Sequence, residues 1–309
     1  MSASSSLKSL SNGQFELAVS AATGRIVHYG AVRGANVLWE NPHADSAPSP
    51  FVGWHNWGGD KVWIWPEDDW AKWQAGVVAP PGDPPSAPYQ VEVDKLKIRM
   101  VSPVVSAYGV RIVREIVLDD KGSRVTLINR LEKVAGANSG GGRSLPIGVW
   151  TVTQIPAARQ ILARLLPHVS PPRFEPFQKS PWKGVQVIND IALLTRPASP
   201  WVKIGLEADV LATPVHDWFF VIRTPAEKNV TDGHEPFRRA QVFSDPDESE
   251  FRPAKLPPYV EFEFTSPLKR LSIGESVSLT VTWELHPLPE NGVGTAEIIA
   301  ANPVKTEHI

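Results

Sequence analysis

The sequence predicts an almost entirely β chain folded as one large antiparallel β-sandwich. Three observations predict it: apolar and polar residues alternate with period two along most of the chain, turn residues recur between those runs, and helical periodicity is scarce. The 309 residues are 42% hydrophobic and 21% charged, which supplies a core and lies far from the composition of disorder. Sandwiches of about 250 residues commonly form one domain. The expected division is a disordered segment over 1–12, a single sandwich domain over 13–288 and a tail over 289–309.

In chain order, strands are expected at Gln14–Val19, Arg25–Tyr29, Tyr89–Val93, Val110–Leu118, Arg124–Asn129, Ile147–Thr153, Ile191–Thr195, Trp218–Arg223, Tyr259–Phe264 and Glu275–Leu285. The last is the clearest, with Val277, Leu279, Val281, Trp283 and Leu285 on one face and Ser and Thr on the other. Asp119-Asp120-Lys121-Gly122 separates two runs by a short polar turn ending in Gly, a hairpin signal. Helix is expected only at Ala157–Leu166 and as a turn or two over Glu67–Gln74. Both are too short to cover a parallel sheet, which weighs against a doubly wound fold. The 30 prolines and 22 glycines are spread between the strands. Long irregular segments over 41–88, 135–145, 170–183 and 243–258 read as functional or disordered loops, and Ser139–Arg143 as a flexible Gly-rich connector.

With 31 Lys and Arg against 33 Asp and Glu, no net field gathers nucleic acid or an acidic membrane. No stretch reaches the roughly 20 apolar residues of a membrane span. The chain has no cysteine, which excludes disulfides, thiolate metal sites and cysteine nucleophiles. Met1–Leu10 is Ser-rich without the apolar run of a signal peptide. As written the protein is expected to be soluble and cytoplasmic, with a periplasmic or secreted place open if a leader has been removed.

Of 12 tryptophans, Trp54, Trp57, Trp63, Trp65, Trp70 and Trp73 crowd one short stretch. An indole face matches the C–H face of a pyranose. His55, Asn56, Asp60, Lys61, Glu67, Asp68 and Asp69 beside them offer donors and acceptors for hydroxyls. The alternative is that the indoles fill the core. In Tyr259–Phe264, period two sets Glu261 and Glu263 on one face and Val260, Phe262 and Phe264 on the other. Two carboxylates about 7 Å apart in a cleft would separate into an acid and a base; the alternative is the solvent face of an edge strand. None of the eight histidines falls in a tight metal pattern, no nucleophile elbow is present, and neither a metal nor a cofactor is expected.

Thr23-Gly24-Arg25-Ile26-Val27-His28-Tyr29-Gly30 with Gly34–Trp39, Trp57-Gly58-Gly59-Asp60-Lys61-Val62-Trp63 through Pro66-Glu67, Val125–Arg130, Gly148–Gln154, and Tyr259–Pro267 through Gly274-Glu275-Ser276 to Trp283 carry a resemblance. Over roughly Gly13 to Leu285 the chain resembles the galactose-mutarotase-like (aldose 1-epimerase-like) superfamily, most closely a bacterial group within it of undetermined role. The resemblance implies a supersandwich whose concave face binds a mono- or oligosaccharide. It implies Glu261 as the base, with Glu263 as second choice. The mid-chain strand where an acidic His would stand carries Thr151, Thr153 and Gln154 instead, leaving His55 as the candidate acid. Trp54, Trp57, Asp60, Lys61, Trp63, Glu67, Gln154 and Glu263 are the expected sugar-binding residues. Two functions stay open, a sugar-modifying enzyme of the epimerase type and a catalytically inactive carbohydrate-binding protein, with a structural or interaction role as a third.

Overall fold

The computed structural model describes residues 7–70, 79–136, 145–166, 174–176, 182, 184–225, 238–288 and 295–300. Among them period-two alternation has become strand. In chain order these are β1 (Leu7–Ser11), β2 (Phe15–Ser20), β3 (Arg25–Ala31), β4 (Asp60–Trp65), β5 (Gln90–Asp94), β6 (Lys97–Val101), β7 (Val110–Leu118), β8 (Val125–Lys133), β9 (Gly148–Pro156) and β10 (Gln160–Leu165). They continue with β11 (Phe174–Pro176), β12 (Val185–Ile188), β13 (Ile191–Thr195), β14 (Val202–Leu206), β15 (Ala208–Val215), β16 (Trp218–Arg223), β17 (Ala240–Ser244), β18 (Tyr259–Thr265) and β19 (Ser276–Pro287). A short helix, α1 (Thr295–Ala300), closes the described chain.

The strands form two antiparallel sheets, one of nine in the order β1-β2-β3-β4-β9-β18-β17-β14-β11 and one of ten in the order β12-β13-β10-β15-β16-β19-β8-β7-β6-β5. The all-β sandwich expected from the sequence is therefore present. Its core lies between the sheets. Val62 and Ile64 of β4, Val149 and Ile155 of β9, and Val260, Phe262 and Phe264 of β18 meet Ile112, Ile116, Leu127, Phe220 and Trp283 of the second sheet there.

One polar network spans the interior. Arg114 of β7 ion-pairs with Asp60 of β4, and its Nε donates to Asn129 Oδ1 at 3.0 Å. Thr153 Oγ1 donates to the other Asp60 carboxylate oxygen at 2.9 Å. Both charges are fully buried, so the bond is tolerable only because each partner neutralises the other. The turn into β4 needs its glycines: Gly58 and Gly59 have φ of 84° and 70°, and a Cβ on either would stand 2.2 Å from a backbone oxygen, of Trp39 or Ile26.

Several expectations change. Most of the expected helix Ala157–Leu166 is strand β10, because pairing with β13 on one side and β15 on the other satisfies its backbone while Ile161, Ala163 and Leu165 alternate into the core. Part of the segment 1–12 expected to be disordered is the edge strand β1, paired with β2. The expected tail contributes α1, whose buried Ile299 packs with Val210, Ala212, Phe219 and Val221 on the outer face of the ten-stranded sheet. Arg164 donates there to the carbonyls of Ile299 and Ala300, and Arg223 to those of Ile298 and Ile299. The turn expected over Glu67–Gln74 is a 3₁₀ turn at Glu67–Asp69. Ser139–Arg143 and Trp73 lie outside the described residues.

Candidate functional site

Each strand that buries one parity between the sheets presents the other parity on the opposite, outer face of the nine-stranded sheet. That rule places Lys61, Trp63 and Trp65 of β4, Trp150, Val152 and Gln154 of β9, Tyr259, Glu261 and Glu263 of β18, Gln241 and Phe243 of β17 and Lys203 of β14 on one surface. Pairing then sets neighbours. Gln154 lies opposite Glu261, and Glu261 opposite Phe243. Val152 lies opposite Glu263, and Glu263 opposite Gln241.

Two lysine–glutamate pairs occupy this face. Lys61 Nζ lies 3.3 Å from Glu261 Oε1, 4.5 Å from the ring centre of Trp63 and 5.9 Å from that of Trp54. Gln154 Nε2 donates to the same Glu261 oxygen at 2.8 Å. Lys203 Nζ lies 2.8 Å from Glu263 Oε2, which also accepts from Trp150 Nε1 at 2.8 Å, and sits 4.7 Å over the Trp150 ring. Each cation thus trades water for a carboxylate and an indole face. The two carboxylates differ in access: the Glu261 side chain is 13% exposed, Glu263 not at all. Burial, opposed by Lys203 and assisted by the charge of Glu261, pushes the Glu263 carboxyl up to about 7. Burial lowers the Lys61 ammonium, with Glu261 opposing and Arg25 adding to the shift.

A third charged pair braces the aromatic loop. Asp83 Oδ2 accepts from Arg25 at 2.6 Å, from Trp63 Nε1 at 2.8 Å and from Trp54 Nε1 at 3.2 Å. Arg25 lies 5.4 Å from the Trp57 ring.

Four acceptor oxygens remain. Gln154 Oε1, Gln241 Oε1 and Glu263 Oε1, on adjacent strands of this one face, and Asp83 Oδ1 in the loop are buried and receive no hydrogen bond among the described residues. The polar ends that would otherwise swing round are already engaged, Gln154 with Glu261, Gln241 with the Arg238 carbonyl at 3.1 Å and Glu263 with Trp150 and Lys203. Oxygens buried in this way call for donors.

The indoles are arranged otherwise than expected. Trp54, Trp63, Trp65 and Trp70 are buried and pack with Trp150 as a second core rather than lining an open cleft. Trp63 meets Trp150 edge to face at 5.2 Å and Trp70 at 5.6 Å. Cavities of about 130 and 200 Å³ lie elsewhere, beside Thr265 and Thr280 and beside Pro84 and Ser102. The accessible aromatic run is a different one. Trp201, half exposed, lies against Phe243 at 6.0 Å, and Phe243 against Tyr259 at 6.0 Å, the latter two partly buried and next to Glu261, while the buried Trp39 backs Tyr259 at 4.7 Å.

Of the residues expected from the sequence, Glu261, Glu263, Lys61, Gln154, Trp54 and Trp63 are brought together. Trp57 sits half-buried at the rim and donates to Asp45 at 3.3 Å. Glu67 is exposed on the 3₁₀ turn, and its charge repels that of Glu263. Asp60 is corrected: it shares the parity of Val62 and Ile64, points between the sheets at Arg114 and cannot meet a ligand on the outer face. His55 packs against Trp57 at 5.3 Å, and no hydrogen bond or ion pair among the described residues joins it to Glu261. Arg25, Asp83, Trp150, Lys203 and Gln241 were not expected as site residues. Parity alone would have added Trp150, whereas Lys203 and Asp83 arrive only through strand order and a Pro-rich loop. Among the described residues no group of three His, Cys, Asp or Glu is placed to hold a metal.

No protein-family model matches the chain, and no curated protein matches it. Solved structures do. A galactose mutarotase-like protein of Lactobacillus casei superposes with a TM-score of 0.56 at 12% identity, over 91% of this chain and 100% of that one. An Escherichia coli K12 protein provisionally assigned as an aldose 1-epimerase does so with a TM-score of 0.56 at 14% identity, over 92% and 99%. A galactose mutarotase related enzyme of Lactobacillus acidophilus gives 0.54 at 10%, over 91% and 97%. At such identities the likeness is one of architecture, and the chain carries the galactose mutarotase-like fold.

Proposed function

We propose that the chain binds a sugar on the outer face of the nine-stranded sheet and acts on its anomeric centre with Glu261 as base. The observation that carries this reading is the least enclosed carboxylate of the face, Glu261, set against Lys61 and Gln154 and next to the aromatic run of Trp201, Phe243 and Tyr259. A sugar offers hydroxyl donors and acceptors to such polar groups. Phe243, Tyr259 and Trp201 offer the flat faces on which a pyranose ring stacks. The fold neighbours named for galactose mutarotase and aldose 1-epimerase are in keeping with this reading.

In this reading Glu261 accepts the proton of the anomeric hydroxyl, the ring C–O bond opens, and reclosure on either face of the carbonyl exchanges the anomers. The test is to dissolve pure α-anomers of several aldoses with the protein and follow exchange by NMR. Glu261→Gln should lower the rate by about 10² to 10⁴ while leaving sugar affinity nearly intact. Exchange at the uncatalysed rate for every sugar, in wild type and variant alike, removes the enzymatic reading. A second reading, binding without turnover, is favoured by the absence of any histidine bonded to Glu261 among the described residues. It predicts that Trp201→Ala weakens sugar binding while no exchange is seen in any variant.

A further inference from the structure

Proton transfer at an anomeric centre needs two groups, since the base that takes the hydroxyl proton must be matched by an acid that protonates the departing ring oxygen. The histidine expected in that place, His55, is engaged with Trp57 and not with Glu261. Resting on the sugar-converting reading above, we infer that Lys61 is that acid and that Lys61 and Glu261 work as one proton-exchanging pair.

The geometry favours it in three ways. Lys61 is the cation in direct contact with Glu261, at 3.3 Å. The hydroxyl oxygen and the ring oxygen of a sugar are bonded to the same carbon, so an acid and a base lying side by side address both at once. Lys61 is also held in place from below, because the Trp63 and Trp54 rings flank its ammonium and Asp83 accepts from the N–H of each ring. An ordinary exposed lysine would be a poor acid at neutral pH, with a pKa near 10.4. Here burial weakens its hold on the proton, and the nearby Arg25 acts in the same direction.

The step balances. Glu261 removes the proton from the anomeric O–H, those electrons form the carbonyl, the bond between that carbon and the ring oxygen breaks, and the ring oxygen takes a proton from Lys61. The open-chain aldehyde rotates about its first carbon–carbon bond. Reclosure returns one proton to Lys61 and one from Glu261 to the new anomeric oxygen. Direct transfer across the 3.3 Å contact restores the pair if the two events fall out of step.

Lys61→Arg separates this role from a structural one. An arginine keeps the positive charge, the indole contacts and the ion pair with Glu261, yet does not release its proton. The experiment measures anomer exchange by NMR and sugar binding by intrinsic fluorescence for wild type, Lys61→Arg, Lys61→Met and His55→Gln. The expected result is a loss of 10²-fold or more in exchange for Lys61→Arg with affinity within a few-fold of wild type. Wild-type exchange in Lys61→Arg, or loss in His55→Gln with Lys61→Arg active, overturns the inference and leaves Glu261 as base untouched. Absence of binding by any sugar refutes the parent reading instead.

A pH profile of the wild type guards against a variant that fails to fold. The groups facing Lys61 are Glu261, Arg25 and Asp83, with Asp60 beside it in the strand on the opposite face. Lys61 as acid predicts an alkaline limb whose midpoint falls below the ordinary lysine range, after correction for hydroxide-catalysed exchange. A rate flat to pH 10 overturns the assignment.

Discussion

Asp83→Ala should be among the most damaging single substitutions near the site. The carboxylate is 8% exposed and faces an Arg25 that is not exposed at all, and one oxygen, Oδ2, serves Arg25, Trp63 and Trp54 together. Removing one partner of a buried ion pair costs about 3–5 kcal/mol, because the remaining charge is left uncompensated. The two indole N–H groups lose their acceptor as well, each worth about 1–3 kcal/mol when no water replaces it. These losses share one atom and do not add. Arg25 keeps some support, since it still donates to the Gly58 carbonyl at 3.0 Å and lies against Trp57. The expected total is therefore about 3–5 kcal/mol, or about 6–10 °C in Tm at about 2 °C per kcal/mol for a chain this long. Urea unfolding followed by tryptophan fluorescence measures it. Asp83→Asn, which keeps an acceptor and loses the charge, should fall between wild type and Asp83→Ala. A stability of Asp83→Ala within about 0.5 kcal/mol of wild type, the range of an ordinary surface change, would show that the carboxylate does not hold the aromatic loop.

Three further outcomes follow from the same structure. Arg114→Met alone should cost about 3–5 kcal/mol by stranding Asp60, whereas Arg114→Met with Asp60→Leu should recover much of it; equal losses in single and double variants would refute the clamp. Because the Glu263 carboxyl is raised, folding favours its protonated form, so its contribution is present at low pH and is lost as pH climbs from the ordinary glutamate value near 4.3 to about 7. Relative to Glu263→Gln, wild type should thus gain on the order of 1 kcal/mol per pH unit on descending through that window, and a pH-independent difference in urea midpoints would contradict the shift. Ile299→Ala should lower stability by about 2–5 kcal/mol, since its side chain is wholly buried against the ten-stranded sheet; an unchanged melting curve would mean that α1 does not dock there.

The strands were legible because a sheet with one buried face writes its geometry directly into alternation, as in β18 and β19. The same rule correctly joined Glu261 to Glu263. Applied to β4 it would also have separated Asp60 from Lys61, since Asp60 keeps step with Val62 and Ile64. β10 was misread because Ile161, Leu162, Leu165 and Leu166 also fit helical spacing over so short a run, and only the strands on either side decide between the two periods. The indoles were misplaced for another reason. Composition announces that tryptophan is abundant, but whether a ring faces solvent depends on which loop folds over which sheet. Lys203 left no local trace at all, since its nearness to Glu263 depends on β17 lying between β14 and β18.

Each strand of the nine-stranded sheet carries two interleaved messages, one parity spelling the core and the other the polar face. A substitution edits one message and leaves the other intact. The insertion or loss of a single residue inside β18 would instead exchange them, turning Phe262 and Phe264 outward and driving Glu261 and Glu263 into the apolar interior. Descendants of this chain are therefore free to vary the outer parity by point replacement. Changes in length are confined to the connecting loops, so the spacing between Glu261 and Glu263 and the lengths of the strands around them should outlast the identities of the residues that the face displays.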